Sequence, residues 1–135
     1  MDYSFHPQAR YTNTHEWVRM EGDIAIVGVT DYAQHLLSDV VYVELPSEGD
    51  AVTTGQALGT VESVKASEDA NSPITGEVVA VNTALEANPE WVNEDPYGKA
   101  WLIKVKPSDP GELANLMDAS AYENFVRQEE EKGEH

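Results

Sequence analysis

Through most of the first hundred residues, hydrophobic positions alternate with polar ones at the period of two that belongs to strands. "EWVRM" and "DIAIVGV" predict two strands joined by a turn at Glu21-Gly22-Asp23. "VVYVEL" predicts a third, closed by the Pro-, Ser- and Gly-rich "PSEGD". From Ala51 to Val81 nearly everything reads as β, in the pieces "AVTT", "QALGTVESV", "SEDANSP" and "GEVVAV". The breaks fall at Gly55, near Lys65 and from Pro73 to Gly76. "AWLIKVK" carries the last strand signal.

Helical spacing is confined to short stretches. "TDYAQHLLSDV" predicts a helix capped by Asp31 with Gln34 three residues on, and Leu36 and Leu37 as its apolar contacts. "NTALEANPE" allows a turn or two before Pro89. The C-terminal third changes period. Asp109, Pro110 and Glu112 predict a cap, a first helical residue and a capping-box partner. Ser120 and Glu123 repeat the device, with Tyr122, Phe125 and Val126 as an apolar stripe facing the core. The pattern describes one mainly β domain over residues 11–127, a flexible lead-in over 1–10 and an acidic tail over 128–135.

Composition narrows the partners. The 135 residues suit a single domain with one core. A net charge of −17 argues against nucleic acid and anionic membranes, which both require a basic face. It favours steering towards basic protein surfaces instead. With no cysteine, disulfides, thiolate metal sites and thiol catalysis are excluded. No apolar run approaches spanning length, and the first residues lack the character of a signal or transit peptide. The expected compartment is the bacterial cytoplasm, or the mitochondrial matrix for a processed organellar form.

Lys65 draws attention by its position. Gly55 lies ten residues before it and Gly76 eleven after, with a β-type segment on each side. That arrangement puts one of only five lysines at or near a hairpin tip. "GQALGTVESV" and "GEVVAVN" both follow a glycine, as the halves of a quasi-symmetric sheet would. A tip lysine suits covalent loading, because its flexible stem carries an amine away from the backbone. Val64 and Ala66 are small enough for close approach, and Glu62, Glu68 and Asp69 form an acidic collar. An ordinary solvated lysine paired with Glu62 is the alternative that spacing alone leaves open.

"VESVKASEDANSPITGEVVAVN" resembles the lipoyl-attachment segment of the H-protein family of the glycine cleavage system. "HEWVRMEGDIAIVGVTDYAQ", "LSDVVYVELPSEGD", "NEDPYGKAWLIKVKPSDPGEL" and "DASAYENF" resemble the same family in the same order, from Tyr11 to about Val126. Biotin carriers normally flank the lysine with methionines. Lipoyl domains of 2-oxo acid dehydrogenases typically have Asp before it and lack the C-terminal helices. The resemblance implies a flattened, quasi-symmetric lipoyl-type β-sandwich (a barrel-sandwich hybrid) with short helices, and a carrier that catalyses nothing itself.

It further implies lipoic acid in amide linkage on Lys65, within a motif of Glu62, Ser63, Val64 and Ala66. The implied partners are a pyridoxal-phosphate glycine decarboxylase (P protein), a tetrahydrofolate-dependent aminomethyltransferase (T protein), a dihydrolipoyl dehydrogenase (L protein) and a lipoate-attaching enzyme. Such a carrier is expected to be a monomer. The loaded aminomethyl group is labile in water, and in the family the arm folds into a cleft. The matching positions here are Thr14, Glu16 and Asp69, with Glu16 expected to hold the protonated amine and Thr14 to hydrogen-bond it.

The histidines do not add to the site in this reading. A histidine that neighbours the arm in some members would align with Leu36, so His35 is assigned to the helix surface. His15 is expected to cover Trp17 or orient Glu16, while His6 and His135 fall in flexible ends. Their scatter lacks zinc-ligand spacing. Trp17, Trp91 and Trp101 read as packing residues. Two other roles are carried alongside: an H-like relay supplying lipoate to other carriers, and an unmodified acidic interaction domain. A hydrolase built on Glu16 and His15 has no nucleophile–base–orienter set to support it.

Overall fold

The computed structural model describes residues 3–133. Nine strands run in order: β1 Arg10–Tyr11, β2 Glu16–Glu21, β3 Ile24–Val29, β4 Val40–Glu44, β5 Ala51–Val52, β6 Ala57–Ser63, β7 Ser67–Asn71, β8 Gly76–Val81 and β9 Ile103–Pro107. They form two antiparallel sheets, a six-stranded one in the order β1-β2-β3-β9-β8-β5 and a three-stranded one in the order β4-β6-β7. Neither closes into a barrel. The two post-glycine segments, β6 and β8, lie in different sheets rather than as halves of one.

Four α-helices decorate the sheets: α1 Asp31–Leu37, α2 Ala84–Ala87, α3 Trp91–Glu94 and α4 Ala119–Gly133. A 3-10 helix spans Pro110–Asn115. Between the sheets the strands contribute alternate residues, among them Val18, Val27, Val43, Val61, Val78 and Val105, to a continuous apolar core. A second cluster of Tyr11, Trp17, Ile26, Tyr32, Tyr122 and Val126 joins α1 and α4 to the other face of the larger sheet. There Tyr11 and Tyr122 stack at 4.4 Å.

The strand expectations hold to within a few residues, and Gly22 supplies the positive φ that the β2–β3 turn requires. The helix ends hold only in part. Thr30 rather than Asp31 caps α1, its hydroxyl accepting from Ala33 N at 3.1 Å. Asp31 is helical and takes a hydrogen bond from the side chain of Gln34. Asp109 does cap the 3-10 helix, but Glu112 reaches away to Thr75 instead of back to the cap. Asp118, not Ser120, caps α4 through Ala121 N, and Glu123 pairs with Arg127. In each case a side chain expected to serve the backbone found a partner elsewhere. α3 carried no separate sequence signal: it forms just after Pro89, with Val92 wholly buried beneath it.

The first and last segments meet across α1. Tyr3 Oη donates to Glu130, and the Tyr3 ring packs edge-on against Tyr32 and His35. Ser4 N donates to Asp31, while Ser4 O accepts from the hydroxyl of Tyr97. α4 continues through the acidic stretch to Gly133. His135 lies outside the described residues.

Candidate functional site

β6 and β7 form the hairpin that the spacing around Lys65 anticipates, with Val61 opposite Glu68 and Glu62 opposite Ser67. Val64, Lys65 and Ala66 make its tip. Ser63 sets the geometry of that tip. Its Oγ accepts from Lys65 N at 3.1 Å and from Ala66 N at 3.0 Å, and donates to Ala66 O at 3.1 Å. A single serine hydroxyl thus replaces the ladder bonds that end at the turn. Lys65 is exposed, and its Nζ reaches the carbonyl of Leu36 at 3.4 Å rather than Glu62. Glu62, Glu68 and Asp69 are exposed around it.

Beside the tip lies a cleft of about 390 Å³ between the hairpin and α1. Val29, Ala33, Leu37 and Val61 supply apolar walls, and Lys65 stands at its rim. Glu68 and Asp69 line the hairpin side, and Thr14, His15 and Glu16 line the remaining side. The fold therefore gathers Thr14, Glu16, Lys65 and Asp69 around one cavity, although they come from two different sheets.

The turn between β1 and β2 builds the Glu16 environment. Thr12 Oγ1 accepts from Thr14 N and Glu16 N, which folds residues 12–16 back on themselves. The same hydroxyl donates to Glu16 Oε1 at 2.6 Å, and Thr14 Oγ1 donates to that oxygen at 2.5 Å. Glu16 Oε2 accepts from Asn71 N at 3.1 Å, at the end of β7. Only 1 % of Glu16 is exposed. Burial pushes its carboxyl up from the ordinary range against the pull of these donors. Oε1 thus takes both threonine hydroxyls, while Oε2 takes the single Asn71 N–H.

His15 neither orients Glu16 nor covers Trp17. It takes a φ of 75°, and its Nδ1 lies 2.9 Å from the hydroxyl of Tyr122. Trp17 packs instead against Gly28, where a Cβ would come within 2.6 Å of its ring, and its Nε1 donates to Pro96 O. Trp91 and Trp101 are partly buried against the core clusters. His35 is on the α1 surface, 3.7 Å from Asp31. Among the described residues no group of three histidine, aspartate or glutamate side chains could hold a metal. Thr12 and Asn71 belong to the site without having been legible in it. The Thr-Asn-Thr run before a strand is a recognisable turn signal for Thr12. Asn71 contributes only a backbone N–H, for which no side-chain signal exists.

A model of the glycine cleavage H-protein family matches residues 9–129. The chain belongs to that family. A glycine cleavage system H protein of Bacteroides fragilis is 52% identical over 123 residues, covering 91% of this chain and 98% of the relative. One from Thermus thermophilus is 53% identical over 119 residues, 88% of this chain and 93% of its own. Among solved structures, a glycine cleavage system H protein from Mycobacterium marinum superposes with a TM-score of 0.81 at 36% identity, covering 93% of this chain and 98% of that one. The two-sheet architecture with its exposed hairpin is therefore the H-protein fold, and the cleft beside Lys65 is a feature of an H-protein chain.

Proposed function

We propose that this chain is a lipoyl carrier in glycine cleavage, loaded on Lys65, and that it holds the aminomethyl cargo in the cleft between the hairpin and α1. One observation carries the reading: a buried carboxylate, Glu16, lines the same cleft at whose rim the exposed Lys65 stands. The apolar walls suit the hydrocarbon part of a lipoyl arm, and the acidic floor suits a cation at its end. The arm, when attached, supplies a disulfide that opens and recloses and a sulfur that bears the one-carbon amine.

The protein's own residues bind and exclude water. Glu16 Oε2 accepts from the ammonium, and a nearby positive charge draws the Glu16 carboxyl back towards its ionised form. Thr14 already donates its hydroxyl hydrogen to Glu16, so it can only accept from the amine. Asp69, exposed at the hairpin side, adds charge without burial. Val29, Leu37 and Val61, the apolar walls of the cleft, would exclude water from cargo held there.

No residue set here performs bond-breaking chemistry, so the reaction steps fall to a decarboxylase, an aminomethyltransferase and a dihydrolipoyl dehydrogenase. The acidic collar of Glu62, Glu68 and Asp69 offers these enzymes and the lipoate-attaching enzyme a negatively charged face. Affinity for the decarboxylase that did not weaken with rising ionic strength would count against that steering. The relatives are bacterial, and no helix among the described residues is long and apolar enough to cross a membrane. The compartment proposed for the carrier, as the family resemblance implies, is the bacterial cytoplasm.

The deciding experiment is intact mass with peptide mapping, after incubation with lipoate and a lipoate-attaching enzyme, with Lys65→Arg alongside. A lipoyl adduct on Lys65 that is absent from the variant supports the carrier. An unmodified Lys65 overturns it in favour of an acidic interaction domain. Turnover with glycine and the decarboxylase separates a glycine cleavage carrier from a relay that only passes lipoate on.

A further inference from the structure

His15 lines the cleft beside Glu16, and nothing above gives it a task there. Its hydrogen bonds decide which ring nitrogen carries the proton. Tyr122 Oη sits between His15 Nδ1 at 2.9 Å and Thr30 Oγ1 at 2.7 Å. Tyr122 and Thr30 are both 0 % exposed, so each hydroxyl hydrogen must find its acceptor within the protein. Thr30 Oγ1 already accepts from Ala33 N as the cap of α1.

Two directions are open to this chain. If His15 Nδ1 donated to Tyr122 and Tyr122 donated to Thr30, the Thr30 hydroxyl hydrogen would have no acceptor among the described residues. Leaving it buried and unpaired carries the full desolvation penalty of the hydroxyl with nothing to offset it. In the other direction Thr30 donates to Tyr122 and Tyr122 donates to His15 Nδ1, and both buried hydroxyl hydrogens are placed. His15 Nδ1 is then an acceptor, and the neutral ring carries its proton on Nε2. Nε2 has no protein partner among the described residues and is not fully buried, and His15 lines the cleft, so its Nε2–H is the ring's free donor.

We propose that His15 is the hydrogen-bond donor of the cleft, held as the Nε2–H tautomer by Thr30 and Tyr122, and that it donates to the arm sulfur left free when the dithiolane opens. Glu16 and His15 then form a complementary pair: an acceptor for the ammonium end and a donor for the sulfur end. Around the imidazole stand Tyr32 of α1, Tyr122 and Phe125 of α4, the Glu129 charge and the neighbouring Glu16. Burial keeps the ring neutral, so it offers a donor without repelling the cationic cargo. The φ of 75° at His15 is a strained conformation for a non-glycine residue, and it is the backbone setting from which this ring meets both Tyr122 and the cleft. The inference rests on the carrier reading for the identity of the arm, but the tautomer does not.

Two measurements test it. Imidazole nitrogen shifts in histidine-labelled, unmodified protein read the tautomer directly. We expect His15 with Nε2 protonated, and a loss of that single form in Tyr122→Phe, which removes the hydroxyl while keeping the ring. A protonated Nδ1, or no change in Tyr122→Phe, overturns the proposal. The thiol titration of the reduced, lipoylated protein, followed by thiolate ultraviolet absorbance, reads the donor. In His15→Asn, whose amide reaches only as far as Nδ1 and whose residue type tolerates positive φ, the lower thiol pKa should rise by about one unit, or about tenfold in thiolate fraction. His15→Gln, which places an amide N–H at the depth of Nε2, should recover most of the shift. Identical titrations in all three proteins overturn the donor role. Failure to attach lipoate at all would show up first by mass, and would strike the carrier reading instead.

Discussion

The carboxylate of Glu112 receives both donors of Thr75, the backbone N–H at 2.8 Å and the hydroxyl at 3.0 Å. This bidentate contact ties the 3-10 helix to the turn before β8, across 37 residues of chain. Glu112→Ala leaves a partly buried N–H without its partner and should destabilise the protein by about 1–3 kcal/mol. Glu112→Gln keeps an acceptor for one donor and should lose less. Urea unfolding at constant m-value separates the two; equal midpoints for all three proteins would show that the contact contributes nothing.

That glutamate also shows how far the sequence could be read. Strand positions, the hairpin and Lys65 at its tip were legible because alternation and glycine punctuation are local properties. Helix caps were less so: Thr30 and Asp118, each one or two residues before the expected Asp31 and Ser120, cap α1 and α4, and Glu112 turns to the distant Thr75. Thr14, Glu16 and Asp69, distant in sequence, line one cleft. The missing members of the site are a turn hydroxyl (Thr12), a backbone N–H (Asn71) and an imidazole whose partner is 107 residues away. Long-range pairing of that kind leaves no periodic mark.

Stability should depend on pH through the histidines. Burial lowers the His15 pKa, and burial followed by the Arg19 charge lowers that of His6. The unfolded chain then binds more protons than the native one as pH falls through the ordinary histidine value of about 6.5. The stabilisation is present in full above that value and is lost progressively below it. Glu16, with its carboxyl raised by burial, works in the opposite sense: its cost appears as pH rises through the carboxylate range. Melting temperatures from neutral to mildly acidic pH should fall more in the native protein than in His15→Asn. Parallel curves would remove His15 as a cause.

Ser63 should matter more to modification than to folding. Ser63→Ala releases two backbone N–H groups at an exposed tip, where water can replace the hydroxyl. The expected stability change is below about 1 kcal/mol. The initial rate of lipoate attachment to Lys65 should drop several-fold, because the loop no longer presents one conformation to the attaching enzyme. A mass-spectrometric time course showing unchanged rates would argue against a preset tip.

Gly59 is a packing requirement for the smaller sheet. A Cβ there would lie 2.2 Å from the backbone oxygen of Glu44. Gly59→Ala must push β4 from β6, at a cost of about 3 kcal/mol or more. Gly22→Asn is a useful contrast, since Gly22 takes a φ of 63° but a Cβ there would meet nothing within 4 Å. Thermal melts should place Gly59→Ala far below Gly22→Asn; similar values would mean that β4 has room to move.

β7, the strand that leads away from Lys65, is the outer member of its sheet. An outer strand beside an exposed loop invites another chain to add itself and begin a fibril. Here Ser67, Glu68 and Asp69 are all exposed along it, and the N–H of Asn71 at its end is already taken by Glu16. Like charges along the two edges would repel a second copy of the strand before it could pair. The carboxylates around the lysine thus let a hairpin stand open to visiting enzymes at high concentration without seeding the protein's own precipitation.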